Sequence, residues 1–588
     1  MQDTIRNEYP RPDFKREDWK NLNGIWDFAF QSQDVPEICY IHGSHYDRKI
    51  LVPFCYQSKM STINVTEYHE TVWYTRQFSI TAEQKQKKIL IHFAGVDYHC
   101  RLYINNSFAG EHEGGYDLFT FEINEYVTIG DNRIVLKVSD DRRVDRPRGK
   151  QYWRDTPDRC WYTESSGIWK TVWLEFTEEY YLTSLRILPD INSCQLRLDT
   201  SISNNFKGYL RIKIFWENKL CRELTYRIMN RLHLSEIITV SPEDFIDEIH
   251  YWSPEHPNLY SMVLELSDDN KIYDKVESYF GMRQIEMKND QIYLNHKPLY
   301  QRLVLDQGYW PDSLLTAPDE QAIIRDLTMV KEMGFNGLRM HQKIEEPLFY
   351  YHADRLGLLV WLELPSSYDF GITEIHTVLA QWEAILKNNW NHPSIITYVP
   401  FNESWGIRNI AKDSMQASFA DCIYYLTKAL DPTRLVSTND GWEFPDATDL
   451  YGFHDYFSSV DAFKSQYENW GRRFETGMTN RPLKAVDTNR KELPVLLTEF
   501  GGIAFQNDLS REGNWGYNES VSTRDTFENT LDTQLSCILE SPLLCGYCYT
   551  QLTDVMQEVN GLLHPDRTPK IPLKKYKSIF SRNPIWYQ

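Results

Sequence analysis

The sequence predicts two β-sandwiches followed by a (β/α)8 barrel. Three observations lead there: the chain's length, close-spaced strand patterns over its first half, and a change of hydrophobic period near residue 290. At 588 residues the chain exceeds the roughly 250–300 residues at which one hydrophobic core stops growing. Several domains are therefore required.

Residues 1–180 contain GIWDFAF, TVWYTRQFSI, KILIHFAGV, HCRLYINN, NRIVLKVSD and IWKTVWLEF. These runs alternate apolar and polar positions, are rich in β-branched and aromatic residues, and are separated by turn signals, as in an antiparallel sandwich. Residues 181–283 repeat the texture in LRILPDI, GYLRIKIFW, HLSEIITV, YSMVLELS and DKVESYFGMR, which predicts an immunoglobulin-like sandwich of about seven strands. WSPEHPNLY carries two prolines and reads as a loop before a late strand. Over residues 284–588 the period becomes helical in DEQAIIRDLTMVKEMG, EPLFYYHADRLG and FADCIYYLTKAL, each followed by a short apolar run. Repeated helix and strand over this length predict a parallel barrel, with chemistry at the C-terminal ends of its strands. No GxGxxG or Walker loop favours a nucleotide-binding sheet.

The net charge of −20, without a basic stripe, repels phosphate backbones and anionic lipid, so neither nucleic acid nor membrane is an expected partner. The first residues lack the apolar core of a secretory signal, and no run of about 18 apolar residues occurs. Ten scattered cysteines read as free thiols in a reducing compartment, and a cytoplasmic location is expected. Cys545 and Cys548 form C-G-Y-C, but inside a strand-like run.

Two carboxylates stand at strand ends: Glu403 in SIITYVPFNESWG and Glu499 in LPVLLTEFGG, with about three βα units between them. A pair of opposed carboxyl groups can protonate a glycosidic oxygen and stabilise an oxocarbenium-like transition state. Hydrolysis of this kind requires neither metal nor cofactor, and none is expected. The nearest histidines, His42 and His45, form H-x-x-H in a sandwich segment rather than H-x-x-x-H on a helix.

The run WNHPSIITYVPFNESWG resembles the signature of glycoside hydrolase family 2, W-N-x-P-S-I-x-x-W-x-x-x-N-E, with Tyr398 where the signature has its second Trp. The stretches RPDFKREDWKNLNGIWDFAF, FAGVDYHCRLYINNSFAGEHEGGYDLFTFEI and SSGIWKTVWLE resemble that family's N-terminal jelly roll. The resemblance implies a jelly roll, an immunoglobulin-like domain and a TIM barrel, and a retaining exo-β-glycosidase with a carbohydrate substrate. It implies Glu403 as acid/base, Glu499 as nucleophile, and Asn402 on the sugar 2-hydroxyl. It places Arg339 and His341 at a strand end facing the sugar, and Tyr456 beside the nucleophile. His454, Asp306, Trp310 and Gln551 follow other strand-like runs and are further candidates for substrate binding. Assembly as a homo-oligomer is also part of the resemblance.

Three departures bear on the sugar. LVLDQ lacks a His usual at the first strand end. Trp161 stands six residues before Gly167, where the jelly roll usually supplies an Asp, with Glu164 and Asp158 as nearby substitutes. VNGLLHPDRTPK lacks the N-x-K with which β-glucuronidases hold a sugar carboxylate. The expected order is therefore β-galactoside first, β-hexuronide second and β-mannoside third, with Arg339 or another Arg at the mouth as a grip for the hexuronide's carboxylate. A carbohydrate-binding protein without activity is the alternative of another class.

Overall fold

The computed structural model describes residues 5–240, 249–457, 459–467, 481 and 492–587. In the first domain a four-stranded sheet (Trp19–Asn21, Val172–Thr177, Lys88–Phe93, Phe119–Glu122) faces a six-stranded one (Arg48–Val52, Gly24–Phe30, Thr71–Ile80, Gly130–Ser139, His99–Ile104, Ser107–Glu113). Alternate residues point inward, so Trp26, Phe28, Tyr74, Ile91, Leu136 and Leu174 share one core. Between Ser139 and Gly167 the chain leaves the sandwich and reaches the barrel: the N–H groups of Arg148 and Gly149 donate to Ser366 O at 2.9 and 3.0 Å.

The second domain is immunoglobulin-like as expected, but it is not built from seven short strands. Its described residues form one five-stranded sheet, including a hairpin of Gln195–Trp216 and Lys219–Thr239. A register shift between Ser201 and Phe206 lets one bent strand run through what read as a break, so turn-like residues such as Ser203 and Asn204 lie inside it.

The barrel strands are β1 Gln301–Asp306, β2 Gly337–Met340, β3 Leu359–Glu363, β4 Ile395–Val399, β5 Leu435–Val436, β6 Tyr451–His454, β7 Val495–Gly501 and β8 Leu544–Thr550. All their pairings are parallel, in the order β5-β4-β3-β2-β1-β8-β7-β6. Asn439–Asp440 continues past β5, and Gly441 N–H donates to Gly452 O at 3.1 Å, which joins β5 to β6. Leu303, Leu305, Trp361, Ile396, Leu496 and Cys548 fill the interior, while Val304, Leu338, Tyr398 and Leu497 pack outward on the helices. That alternation sends Arg339 inward between Leu338 and Met340. Helix Pro347–Leu356 ends at Gly357, whose φ of +72° and 2.6 Å gap between an added Cβ and Pro254 O both exclude a side chain.

All ten cysteines are free, with Cys545 and Cys548 buried on β8. Among the described residues no helix is long and apolar enough to cross a membrane.

Candidate active site

Glu403 follows Phe401–Asn402 just beyond β4, in a left-handed turn with φ of 53° at Glu403 and 58° at Ser404. Such a conformation costs a non-glycine residue about 1–3 kcal/mol and persists only where its surroundings enforce it. Here they do: Glu403 N–H donates to Asp440 O at 2.8 Å, and Ser404 N–H to Asn439 Oδ1 at 3.0 Å. The turn thereby aims Glu403 across the barrel mouth toward β7, where Glu499 stands buried. Carboxylate oxygens of Glu403 and Glu499 lie within 4.8 Å of each other and of a His454 ring nitrogen.

The two carboxyls occupy different surroundings. The Glu403 side chain is 24% exposed and that of Glu499 is 5% exposed. Tyr456 donates its hydroxyl to Glu499 Oε2, with its ring stacked on Tyr517 at 3.9 Å. His454 spans the pair, with Nδ1 at 2.8 Å from Glu403 Oε1 and Nε2 at 3.1 Å from Asp440 Oδ2 and 3.4 Å from Glu499 Oε1. Burial disfavours charge on His454, but Glu499, Asp440 and Glu403 outweigh it and raise its pKa to about 10. Burial by itself raises the Glu403 carboxyl, yet the imidazolium of His454 brings it below the usual glutamate value.

Beneath this pair lies Arg339, with no exposed side-chain surface. Its Nε donates to Glu363 at 2.8 Å, Nη2 to Asn402 Oδ1 at 2.6 Å, and Nη1 reaches Asp440 at 2.8 Å and Glu499 at 3.3 Å. Burial raises the Asp440 carboxyl, but Arg339 prevails and holds it at about 2. At Glu363 burial prevails over Arg339 and the pKa rises to about 7. His341 Nδ1 lies 3.1 Å from Glu363, and burial, with Lys150 and Arg339 nearby, keeps the ring neutral. The guanidinium expected to face the sugar is thus committed to the site's floor. It cannot also grip a substrate carboxylate. Asn402, its oxygen taken by Arg339, is left with its amide N–H groups as donors.

Asp306, Trp310 and Gln551 are buried at or just after the C-terminal ends of β1 and β8. Asp306 Oδ1 accepts from Gly308 N–H at 2.9 Å, the Trp310 ring lies in the core with the Arg567 guanidinium 3.9 Å above it, and Gln551 Oε1 accepts from Gln307 at 2.9 Å. Among the described residues, Trp310 Nε1 and Gln551 Nε2 are buried without a hydrogen-bond partner.

The mouth is roofed from the jelly roll. Trp161 Nε1 donates to Tyr368 OH at 2.9 Å, and the Trp161 and Tyr368 rings meet Trp405, two residues after Glu403, at 5.5 and 5.2 Å. Trp161 thus occupies the mouth where an Asp was looked for, while Glu164 is turned onto Arg142 at 2.7 Å. Glu363, Asp440, Lys150 and Glu558 were missed from sequence. Glu363 and Asp440 close strand-like runs, the same signal that singled out Glu403 and Glu499; Lys150 and Glu558 lie in loops with no such signal.

Two groups among the described residues hold three ligating atoms within 4.8 Å: Glu403, His454 and Glu499, and Asp508, Asp554 and His564. In the first, both His454 nitrogens already face carboxylates; in the second, Lys570 Nζ lies 2.8 Å from Asp554.

The family models for the sugar-binding, central and TIM barrel domains of glycosyl hydrolases family 2 match residues 19–177, 181–283 and 285–508. The chain belongs to glycoside hydrolase family 2. It is 26% identical over 521 residues to a putative β-glucuronidase of Formosa agariphila, covering 84% of this chain and 58% of that protein. It is 26% identical over 586 residues to a β-galactosidase of Pseudoalteromonas haloplanktis, covering 94% and 52%. The chain therefore spans little more than half the length of these two family 2 relatives. A family 2 β-galacturonidase structure from Eisenbergiella tayi superposes with a TM-score of 0.73 at 18% identity, over 98% of both chains.

Proposed function

We propose that this family 2 chain is a retaining exo-β-glycosidase in which Glu499 attacks the anomeric carbon and Glu403 protonates the leaving oxygen. The observation that carries this is the separation of the two carboxyls. Oxygens within 4.8 Å suit direct attack by one carboxylate, whereas inverting enzymes leave about 6.5–9.5 Å for a water. The more buried Glu499, hydrogen-bonded by Tyr456 and flanked by Arg339, is held as an oriented carboxylate. The more open Glu403 faces the aromatic wall of Trp161, Tyr368 and Trp405, a surface suited to the aglycone. His454, its pKa raised by the surrounding carboxylates, holds a proton 2.8 Å from Glu403. Displacement of water by substrate penalises the charge on Glu403 and moves that proton across the hydrogen bond. After glycosylation the same Glu403 carboxylate takes a proton from the incoming water. Jelly-roll residues over the mouth favour cleavage at chain ends.

Glu499→Gln abolishes attack and lowers kcat on nitrophenyl β-glycosides by roughly 10⁴-fold or more, equivalent to at least about 5.5 kcal/mol in the barrier. Proton NMR of the first sugar released by the wild type gives the β-anomer. An α-anomer, or equal activity in E499Q, defeats the assignment. As to the sugar, the preference for β-galactoside rested on a missing cation, and one side chain supports the β-hexuronide reading.

A further inference from the structure

Lys150 belongs to the jelly roll, yet its side chain is buried against the barrel mouth, with the residue only 7% exposed. Its backbone is fixed on both sides. Arg148 and Gly149 N–H groups donate to Ser366 O, Tyr368 donates its hydroxyl to Gly149 O, and Tyr162 N–H donates to Lys150 O at 2.8 Å. Gly149 adopts φ of +62°, and a Cβ there would lie 2.3 Å from Gln342 O. The turn is thus pressed onto the barrel as no other residue type would allow. Gln151 continues the anchorage, donating to Asp97 at 2.6 Å and Tyr116 at 2.9 Å.

What this anchoring presents is an ammonium without a fixed partner. Among the described residues no hydrogen bond or ion pair to the Lys150 ammonium is formed, although Glu499, Glu403, Glu558 and His341 all feel its charge. The nearby groups are otherwise engaged. Glu558 accepts from Tyr162 OH at 2.7 Å and from Asn560 at 3.4 Å, and burial pushes its carboxyl up to about 7. Burial likewise raises the Cys160 thiol to about 11, so it supplies no anion. Three other described cations are committed elsewhere: Arg339 on the floor, Arg567 on Asp326, and Lys570 on Asp554. A desolvated cation with three open donors, facing the cleft that holds the reacting pair, matches a ligand carboxylate.

Resting on the glycosidase reading above, the geometry points to Lys150 as the residue that takes the carboxylate of a β-linked hexuronic acid, supplied across the domain boundary. It is then a specificity-determining residue: with a hydroxymethyl group in place of the carboxylate, the ammonium loses its counter-ion. The barrel's final loop needs no cation of its own for this role.

The test compares nitrophenyl β-galacturonide and β-glucuronide with β-galactoside and β-glucoside, using wild type, K150M and K150R. The expected result is wild-type preference for a uronide, and a fall of about 100-fold or more in the ratio of uronide to matching neutral-sugar kcat/KM in K150M, with part of it recovered in K150R. A wild type that cleaves only neutral glycosides overturns the assignment of Lys150 while leaving the glycosidase reading intact. Equal losses on both sugar types in K150M overturn it too, since a structural role alone produces them. No cleavage of any β-glycoside removes the underlying reading and this inference with it. Should K150M not fold, wild type supplies the answer through thermal shifts with free galacturonate and glucuronate against galactose and glucose. Stabilisation by the neutral sugars alone counts against Lys150, and stabilisation by a uronate supports it.

Discussion

Arg339 and Lys150 bring two buried cations to one pocket from two domains, and they differ in what surrounds them. Arg339 rises from β2 inside the barrel and divides its donors among Glu363, Asn402, Asp440 and Glu499. Lys150 descends from a jelly-roll turn and has no such partners among the described residues. A planar guanidinium with five donors suits the first position, because it fixes several acceptors at once. A single ammonium on a flexible stem suits the second, where one anion arrives and leaves. The comparison teaches that burial of a charge does not reveal its use. The number of partners it already has separates a cation that builds a site from one that serves a ligand.

The largest expected effect lies on the floor. Arg339→Met leaves Glu363, Asp440 and Glu499 without their shared counter-charge, and breaking such a buried pair costs about 3–5 kcal/mol. Urea unfolding should report that loss, with kcat falling as the Glu499 carboxylate and Asn402 lose their orientation. R339K should recover little, since one ammonium cannot reproduce the fork. Wild-type stability in R339M would erase the contrast with Lys150.

A smaller effect is expected between floor and roof, at His454. Its pKa, raised to about 10 against an unfolded value near 6.5, contributes stability that is fully present below about pH 6.5 and is lost as pH rises through about 10. His454→Asn should therefore narrow its stability gap to wild type between pH 6.5 and 10. It should also lower kcat by roughly ten- to a hundredfold and move the basic limb of kcat/KM to lower pH, because Glu403 alone then carries the proton. A pH profile of the variant that overlays the wild type would show that the proton does not rest on this pair.

These residues also mark how far the sequence could be read. The barrel was legible because helical and strand periods alternate along it, and Glu403 and Glu499 because each closes an apolar strand. Glu363 and Asp440 carry the same signal. What strand patterns cannot express is direction of use: Arg339 and His341 fall at a strand end as expected, but only the inward turn of β2 shows that carboxylates consume the guanidinium. Trp310 and Gln551 read as pocket residues because they follow strands, and both are buried there, Trp310 against Arg567 and Gln551 against Gln307. Lys150 lies about 250 residues from the acid it approaches, in a loop whose path depends on a contact between domains. In the immunoglobulin-like domain only the strand count differs, for a related reason: a bent strand passes through polar residues that locally resemble a turn.

The smallest expected effect is the sharpest for the comparison. Lys150→Met removes a buried ammonium that has no fixed partner, so the variant leaves no carboxylate stripped of a hydrogen bond. The lost methylene packing is largely kept by Met, and the desolvation penalty of the charge is relieved. Stability should then change by no more than about 1 kcal/mol in either direction, against several for R339M. Urea titrations of both variants beside wild type measure this directly. If K150M instead falls as far as R339M, then Glu558 and Glu499 depend on Lys150 as the floor depends on Arg339, and the ammonium is part of the scaffold. If it does not, yet the uronide preference collapses, the jelly roll's lysine holds nothing in place except the ligand.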